Sequence, residues 1–307
     1  MLRYLRERFL ISIPTILWVT VIVFLMLQLV PGDPAEIFLG EHYSTPELLA
    51  QVRHDMGLDR PLHIQYLSFL WNALHGDFGR SLHNNRPVLG EIRLALPITV
   101  ELAVASMMFV IVLGVTMGII SALSHNTWLD TVTMALALGG VSMPIFWLAL
   151  LLMLLFSVRL RWFPAIGQGS LKYLVLPAIA LGLRQASVQA RLVRSSMLEV
   201  MGEDYVRTAR AKGLAEKAVI LKHTFRNALI PAVTMLGLQF GQLLSGAVIT
   251  ETVFSRLGIG KLYVEAILNK DFPMIQAVTL LIAFSYVAIN LLVDLSYALL
   301  DPRIRYD

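Results

Sequence analysis

The chain has 307 residues, 57% of them hydrophobic and only 15% charged, with a mean hydropathy of +0.69. Ordinary globular domains carry about 25% charged residues, so disorder, a fibrous repeat and an ordinary cytosolic enzyme are excluded. Cys is absent, which removes disulfides, Cys-ligated zinc and thiol catalysis. The net charge of +4 matters less than where the basic residues sit.

The composition predicts an all-α polytopic membrane protein, and a helix needs about 20 apolar residues to cross the bilayer core. The first such stretch, Phe9–Val30, follows Arg3, Arg6 and Arg8. It is longer than the h-region of a signal peptide and lacks a small-residue cleavage site, so it reads as an uncleaved first span. The turn Pro31-Gly32-Asp33-Pro34 closes it. Residues 31–97 then form the one large segment outside the membrane. Thr45-Pro46-Glu47 is an N-cap followed by Pro at the first helical position. Pro61–Leu74 repeats Leu62, Tyr66, Phe69, Leu70 and Leu74 at helical spacing until Gly76-Asp77-Phe78-Gly79 breaks it. A small helical extracytoplasmic cap is expected there. It holds His42, His54, His63, His75 and His83, but none at the i, i+4 spacing that pairs two imidazoles on a helix. Surface histidines are the expectation, and no metal site.

Four further uncharged stretches follow: Leu102–Leu123, Thr131–Val158, Ala228–Thr250 and Phe272–Val293. Leu174–Val193 is weaker, because it contains Arg184 and Arg191. Counting it as a span puts Arg194–Asn227, with seven Lys and Arg, on the same side as the N-terminus and the tail with Arg303 and Arg305. Twelve basic residues then lie on the inner side and eleven on longer outer loops. That density difference matches the positive-inside rule, so six spans with both termini cytoplasmic are expected. The domain divisions are 1–30, 31–97 and 98–307, with a cytoplasmic loop at about 194–227.

That loop is the most structured of the connections. Glu203 and Asp204 stand where a helix N-terminus favours negative charge. Tyr205, Val206, Ala209 and Ala211 follow, with Lys212 in the last turn and Gly213 at the C-cap. A second helix is expected from about Ala215 to Asn227, ahead of Pro231 and the fifth span. An ordered helix, turn and helix between two spans is expected to dock on a partner.

Among charges in the spans, Glu101 and Glu251 lie near outer ends and Asp294 near an inner end, where hydration makes them cheap. Arg184 is roughly 16 Å deep at 1.5 Å per residue, where a charge costs about 2.5–3.5 kcal/mol. With Ser187, Arg191 and Ser195 it makes one polar helical face. It either lines a transport path and attracts an anionic group or pairs within the bundle. Gln239 and Gln242 also need water or a partner at their depth. Gly114-x-x-x-Gly118 and Gly237-x-x-x-Gly241-x-x-x-Ser245 are small-residue ridges for close helix packing, within the chain or against a second one.

No catalytic constellation is present. Ser255-Arg256-Leu257-Gly258-Ile259-Gly260-Lys261-Leu262 lacks the first Gly and the final hydroxyl of a P-loop, and it falls on the outer side. His-Glu-x-x-His, Gly-x-Ser-x-Gly and paired catalytic carboxylates are missing too. No enzyme, no cofactor and no nucleic-acid partner is expected. A stand-alone carrier driven by an ion gradient is the alternative to an ATP-driven system.

The stretch Glu203-Asp204-Tyr205-Val206-Arg207-Thr208-Ala209-Arg210-Ala211-Lys212-Gly213, with His223 and Arg226-Asn227-Ala228-Leu229-Ile230-Pro231, resembles the coupling loop of peptide/nickel-type ABC importer permeases. Pro31-Gly32-Asp33-Pro34, Gly76-Asp77-Phe78-Gly79, Ser142-Met143-Pro144, Arg194-Ser195-Ser196-Met197, Asn290-Leu291-Leu292-Val293-Asp294 and Asp301-Pro302-Arg303-Ile304-Arg305 are similar to that family as well. Many permeases of the wider superfamily have Glu-Ala-Ala where this chain has Arg207-Thr208-Ala209. Phe254-Ser255-Arg256-Leu257-Gly258 stands in place of the subgroup's usual Trp-Pro before Gly. The resemblance implies a type I importer fold in the plasma membrane and a second homologous permease. It also implies two cytoplasmic ATPase subunits that bind ATP and Mg, and an external solute-binding protein. It implies that Tyr205–Gly213 couples this chain to an ATPase. The solutes it implies are dipeptides, oligopeptides, glutathione, opines, nickel or its chelates.

Overall fold

The computed structural model describes residues 2–29, 34–39, 45–55 and 57–300. Pro31-Gly32-Asp33, His42 and the ending Asp301–Arg305 lie outside the described residues, as do the side chains of Arg3, Arg6, Arg8 and Asp294. Every regular element among the described residues is a helix, and the one ladder-type contact is the isolated bridge Arg80–Pro87. The chain divides into two compact units, 1–98 with 257–288 and 99–256 with 289–307.

The first unit contains α1 (Leu2–Leu29), α2 (Pro34–Leu39), α3 (Pro46–Asp55) and α4 (Leu62–Leu74). The beginnings of α5 (Val88–Phe109) and α14 (Phe272–Leu300), and all of α13 (Ile259–Leu268), also belong to it. Thr45 opens α3 as expected: its Oγ1 accepts the Leu48 N–H at 3.3 Å and its carbonyl the Leu49 N–H at 3.0 Å. α4 packs on α1 through a Thr20–Tyr66 hydroxyl pair at 2.9 Å and the Phe24 ring against Tyr66 and Phe69. After α4, Gly76 and Gly79 take positive φ (74° and 73°), which a side chain would strain. Between them the Asp77 carboxylate accepts the Gly79 N–H at 2.9 Å. The loop that follows is tied down by Asp271, which accepts the Ser81 hydroxyl and the Leu82 N–H. Asp271 also accepts the Met274 N–H at 3.4 Å, capping the start of α14. Beneath this loop Val88, Ile92 and Ala95 pack on Ile259, Met274 and Val278, forming the core of the unit.

In the second unit, α5 continues through a π-helical turn (Val110–Val115) into α6 (Thr116–Leu123). α7 (Trp128–Ser142) and α8 (Ile145–Leu152) follow, the latter extended by a π-helical segment (Met153–Arg159). α9 (Lys172–Met201) runs at the centre, in contact with α6, α7, α8 and α12 (Arg226–Val253). Between α9 and α12 lie α10 (Asp204–Ala211) and α11 (Glu216–Ala218), with a π-helical segment (Val219–Phe225) joining α11 to α12.

Close approach to α9 depends on glycine. A Cβ on Gly118 would sit 2.7 Å from the Ala190 carbonyl and 2.6 Å from the Val193 Cβ. One on Gly114 would sit 2.8 Å from the Ala186 carbonyl. That ridge therefore packs within the chain. Leu94, Met108, Val112, Leu136 and Leu138 meanwhile point outward, exposed. Small residues inside and large apolar ones outside is the arrangement that lipid favours, because packing rather than water exclusion holds the helices together.

Among the described residues three helices are long and apolar enough to cross a membrane: Val88–Leu123, Glu216–Ser245 and Phe272–Val293. Two expectations need correction. Thr131–Val158 is not one straight span, because Trp128–Ser142 and Ile145–Arg159 meet at 109°. Pro144 drives the residue before it out of the helical region, and Met143 is extended at φ −81°, ψ 129°. The helix expected to end at Asn227 instead passes without a break into α12. The apolar part of α1 is Leu10–Met26, shorter than the other three. α9 is 30 residues long but carries Lys172, Arg184, Arg191 and Arg194.

Candidate functional site

α10 is a short amphipathic helix. Glu203 precedes it in extended conformation, and Asp204 supplies negative charge to its first turn. Gly213, at φ 75°, takes the left-handed turn that ends it. Val206 and Ala209 are buried against Val219 and Val200. Tyr205 is anchored from its tip, where the Asn227 amide donates to its hydroxyl at 2.9 Å. Arg210 holds Glu216 across the glycine turn at 2.8 Å. The opposite face, with Arg207, Thr208, Ala211 and Lys212, is exposed. A helix rigidly fixed along one side and bare and basic along the other is built to present a surface.

The α9–α12 contact carries a ladder of amides. Gln189 Nε2 donates to the Ala232 carbonyl at 3.1 Å, and Gln239 Nε2 to the Gln185 carbonyl at 3.3 Å. Gln185 Nε2 donates to Gln242 Oε1 at 2.9 Å. Gln189 and Gln239 are fully buried, and the Oε1 of each has no partner among the described residues. The expected path residues thus separate: Gln242 is exposed, whereas Gln239 lies inside and braces the α9 backbone. Gln185 and Gln189 carry no sequence signal of their own, because an amide in a helix that also holds Arg184 and Arg191 reads as one more polar residue.

Arg184, Arg191 and Ser195 are exposed on α9, and neither arginine has a hydrogen-bond or ion-pair partner among the described residues. Ser187 leaves that stripe. It is buried, its hydroxyl bonded to the Leu183 carbonyl at 2.9 Å, beneath Gly140. On the Gly237-x-x-x-Gly241-x-x-x-Ser245 ridge, a Cβ at Gly237 would meet Val293 Cγ2 at 2.5 Å. Gly241 is buried, and Ser245 is exposed.

Two other arginines are paired. Arg194 forms a fork on Asp130, with Nε and Nη2 each 2.7 Å from a carboxylate oxygen. Asp130 further accepts the Ser121 hydroxyl and the Asn126 N–H. His125 sits 3.2 Å from Arg194 Nη2 and 3.3 Å from Asp130. At the other end Arg256, 1% exposed, donates to Glu101 at 2.8 Å and to the Tyr173 carbonyl at 3.5 Å. That carbonyl is free to accept because Pro177, one helical turn on, has no N–H. Glu251 is fully buried and accepts the Thr99 hydroxyl at 2.6 Å. The partly hydrated Glu251 expected from its position is therefore corrected, since the fold closes over it.

Among the described residues no group of three His, Asp or Glu is arranged to hold a metal ion. In the segment before α5, His54 bonds Asp59 at 2.8 Å, and that hydrogen bond holds the Asp59 carboxyl below the usual range. His75 bonds the Trp71 carbonyl at 2.8 Å.

The described residues form a helical membrane protein with an apolar exterior, an amide-lined internal contact and one presented basic helix. The chain belongs to the family of binding-protein-dependent transport system inner membrane components, which residues 114–306 match. Residues 1–103 match the N-terminal part of such membrane components. Over 306 residues it is 46% identical to the glutathione transport system permease protein GsiC of Salmonella typhi, 47% to that of Pectobacterium atrosepticum and 44% to that of Escherichia coli K12. In each case 100% of both chains is covered. Its fold is similar to that of a solved amino acid ABC transporter crystallised with histidines, at a TM-score of 0.52 and 14% identity, covering 70% of this chain and 94% of that one. The chain is accordingly a multi-pass inner-membrane permease of an ABC importer, a non-enzymatic subunit that works with ATPase and solute-binding partners. An ion-gradient carrier is set aside.

Proposed function

We propose that this permease forms half of the path for small peptides of the glutathione kind, beside a second homologous permease and above two ATPase subunits. Both termini are cytoplasmic and the chain spans the membrane six times, with residues 31–97 as an extracytoplasmic segment and 98–307 as the permease core. Tyr205–Gly213 is the coupling element, and Arg184 and Gln242 line the path while Gln239 supports it. The full-length identity to glutathione permeases supports the solute class. The observation that carries the coupling role is α10 itself, locked by Val206, Ala209 and the Tyr205–Asn227 bond while its basic face stays bare.

Co-expression with its partner subunits tests this reading. The complex is expected to co-purify with two ATPase chains and a second permease, and peptide-loaded binding protein is expected to stimulate ATP hydrolysis. Arg207→Glu with Lys212→Glu should abolish that stimulation while membrane abundance stays within twofold of the parent, since both side chains are exposed. Retained stimulation would remove the coupling role from this helix.

A further inference from the structure

Resting on that reading, we propose that Arg184, Arg191 and the Gln185–Gln242 pair form one selectivity site for amide-containing solutes that carry two carboxylates. The helical geometry places the two arginines together: seven residues apart, they differ by only about 20° in direction and about 10.5 Å along the axis. The remaining faces of α9 are covered by α6, α7, α8 and α12. The stripe with Arg184 and Arg191 is open.

Two features make this stripe a site rather than a solvated edge. First, a guanidinium near the bilayer midplane costs about 2.5–3.5 kcal/mol on insertion scales, and Arg184 has no carboxylate among the described residues to offset that. Arg194, ten residues along the same helix, has its Asp130. The fold thus supplies a counter-charge to one arginine of α9 and leaves two others open to an incoming anion. Second, the Gln185–Gln242 bond uses one donor and one acceptor. Gln185 Oε1 and Gln242 Nε2 are left without partners among the described residues. An acceptor beside a donor is the complement of a peptide group.

The spacing also sets the size of the solute. About 10 Å between carboxylates is the reach of roughly three residues of extended chain. Arg184 meets one carboxylate at mid-depth and Arg191 receives the other about two turns nearer the cytoplasm, while the amide pair, whose Gln185 adjoins Arg184 in the helix, holds the peptide bond next to the first carboxylate. Each guanidinium forks onto a carboxylate, a geometry that Lys does not reproduce.

The test compares three extended tripeptides, N-acetylated so that no ammonium charge remains, that differ only in their carboxyl groups: two free carboxylates, one free carboxylate with the other amidated, and both amidated. Uptake is measured in cells carrying the complete transporter with an unaltered binding protein, so that only the permease changes. Arg184→Gln and Arg191→Gln are each expected to lower the dianion-to-neutral uptake ratio about tenfold, the scale of a lost charge-assisted hydrogen bond. The neutral peptide should enter within twofold of the parent rate. A ratio that stays at the parental value, or a loss equal for all three peptides, overturns the site. Should Gln variants leave the membrane, Arg184→Lys and Arg191→Lys keep the charge. A dianion-to-neutral ratio between the parental value and one is then expected, and a ratio of about one, with the dianion entering no better than the neutral peptide, overturns the charge argument. If the unmodified transporter takes up none of the three, the peptide reading itself fails, and this site with it.

Discussion

Four arginines of the second unit are of two kinds. Arg194 and Arg256 lie toward opposite ends of α9, each against a carboxylate: Asp130 for one, Glu101 for the other. Arg184 and Arg191 lie between those ends with no carboxylate among the described residues. Position alone would make the deeper pair the costlier, because charge is least tolerated near the midplane. The fold nevertheless spends its acids on the ends. At the ends they tie together segments distant in sequence, such as the turn before α7 and the far part of α9. A charge that meets a partner inside the chain holds the structure, and the two that meet none are the ones proposed above to take a ligand.

That division is open to test, and the largest effect is expected at Asp130. Replacing it by Ala leaves Arg194 half-buried, with Ser121 and the Asn126 N–H also unpaired. Removing one partner of a buried pair costs about 3–5 kcal/mol, and the partial exposure of Arg194 places this case near the lower end. Thermal unfolding of the purified complex should show the loss, with Asp130→Ala/Arg194→Leu recovering part of it. A double variant as unstable as the sum of the single ones would mean that the pair is not coupled.

Glu101→Gln comes next. Arg256 keeps the Tyr173 carbonyl, and Glu101 is half-exposed, so water screens the pair and about 1.5 kcal/mol is expected. The smallest effect on stability is expected at Arg184→Gln, within about 0.5 kcal/mol of the parent, because no contact inside the chain is broken. A drop of more than 2 kcal/mol there would erase the distinction between the two kinds of arginine.

Much of this was legible from the residues. The span limits at Leu123, Phe272 and Val293, the N-cap at Thr45 and the amphipathic α10 with its glycine stop all follow from local rules: hydropathy, capping and helical period. Those rules act over a few residues, so a single sequence displays them. The resemblance to importer permeases was equally local, carried by short motifs in order. Less visible was the 109° break in Thr131–Val158. Ser142-Met143-Pro144 carries the restriction that Pro144 imposes on Met143, but the unbroken apolar length of Thr131–Val158 masks it.

Asp130 with Arg194, and Ser81 with Asp271, are separated by 64 and 190 positions, and no local pattern announces such partners. The same holds for Gln189, which reads as one more polar residue in a mixed helix until Gly114 and Ala232 close around it. Glu251 looked hydrated from its place near a helix end, yet Thr99 and the surrounding helices bury it. The sequence by itself determined a membrane-spanning helical protein, its basic loop and the helix that loop presents, because hydropathy and capping are properties of neighbours along the chain. Only the tertiary structure decided which charges are satisfied and which remain open, because pairing depends on side chains that meet after the chain has folded back on itself.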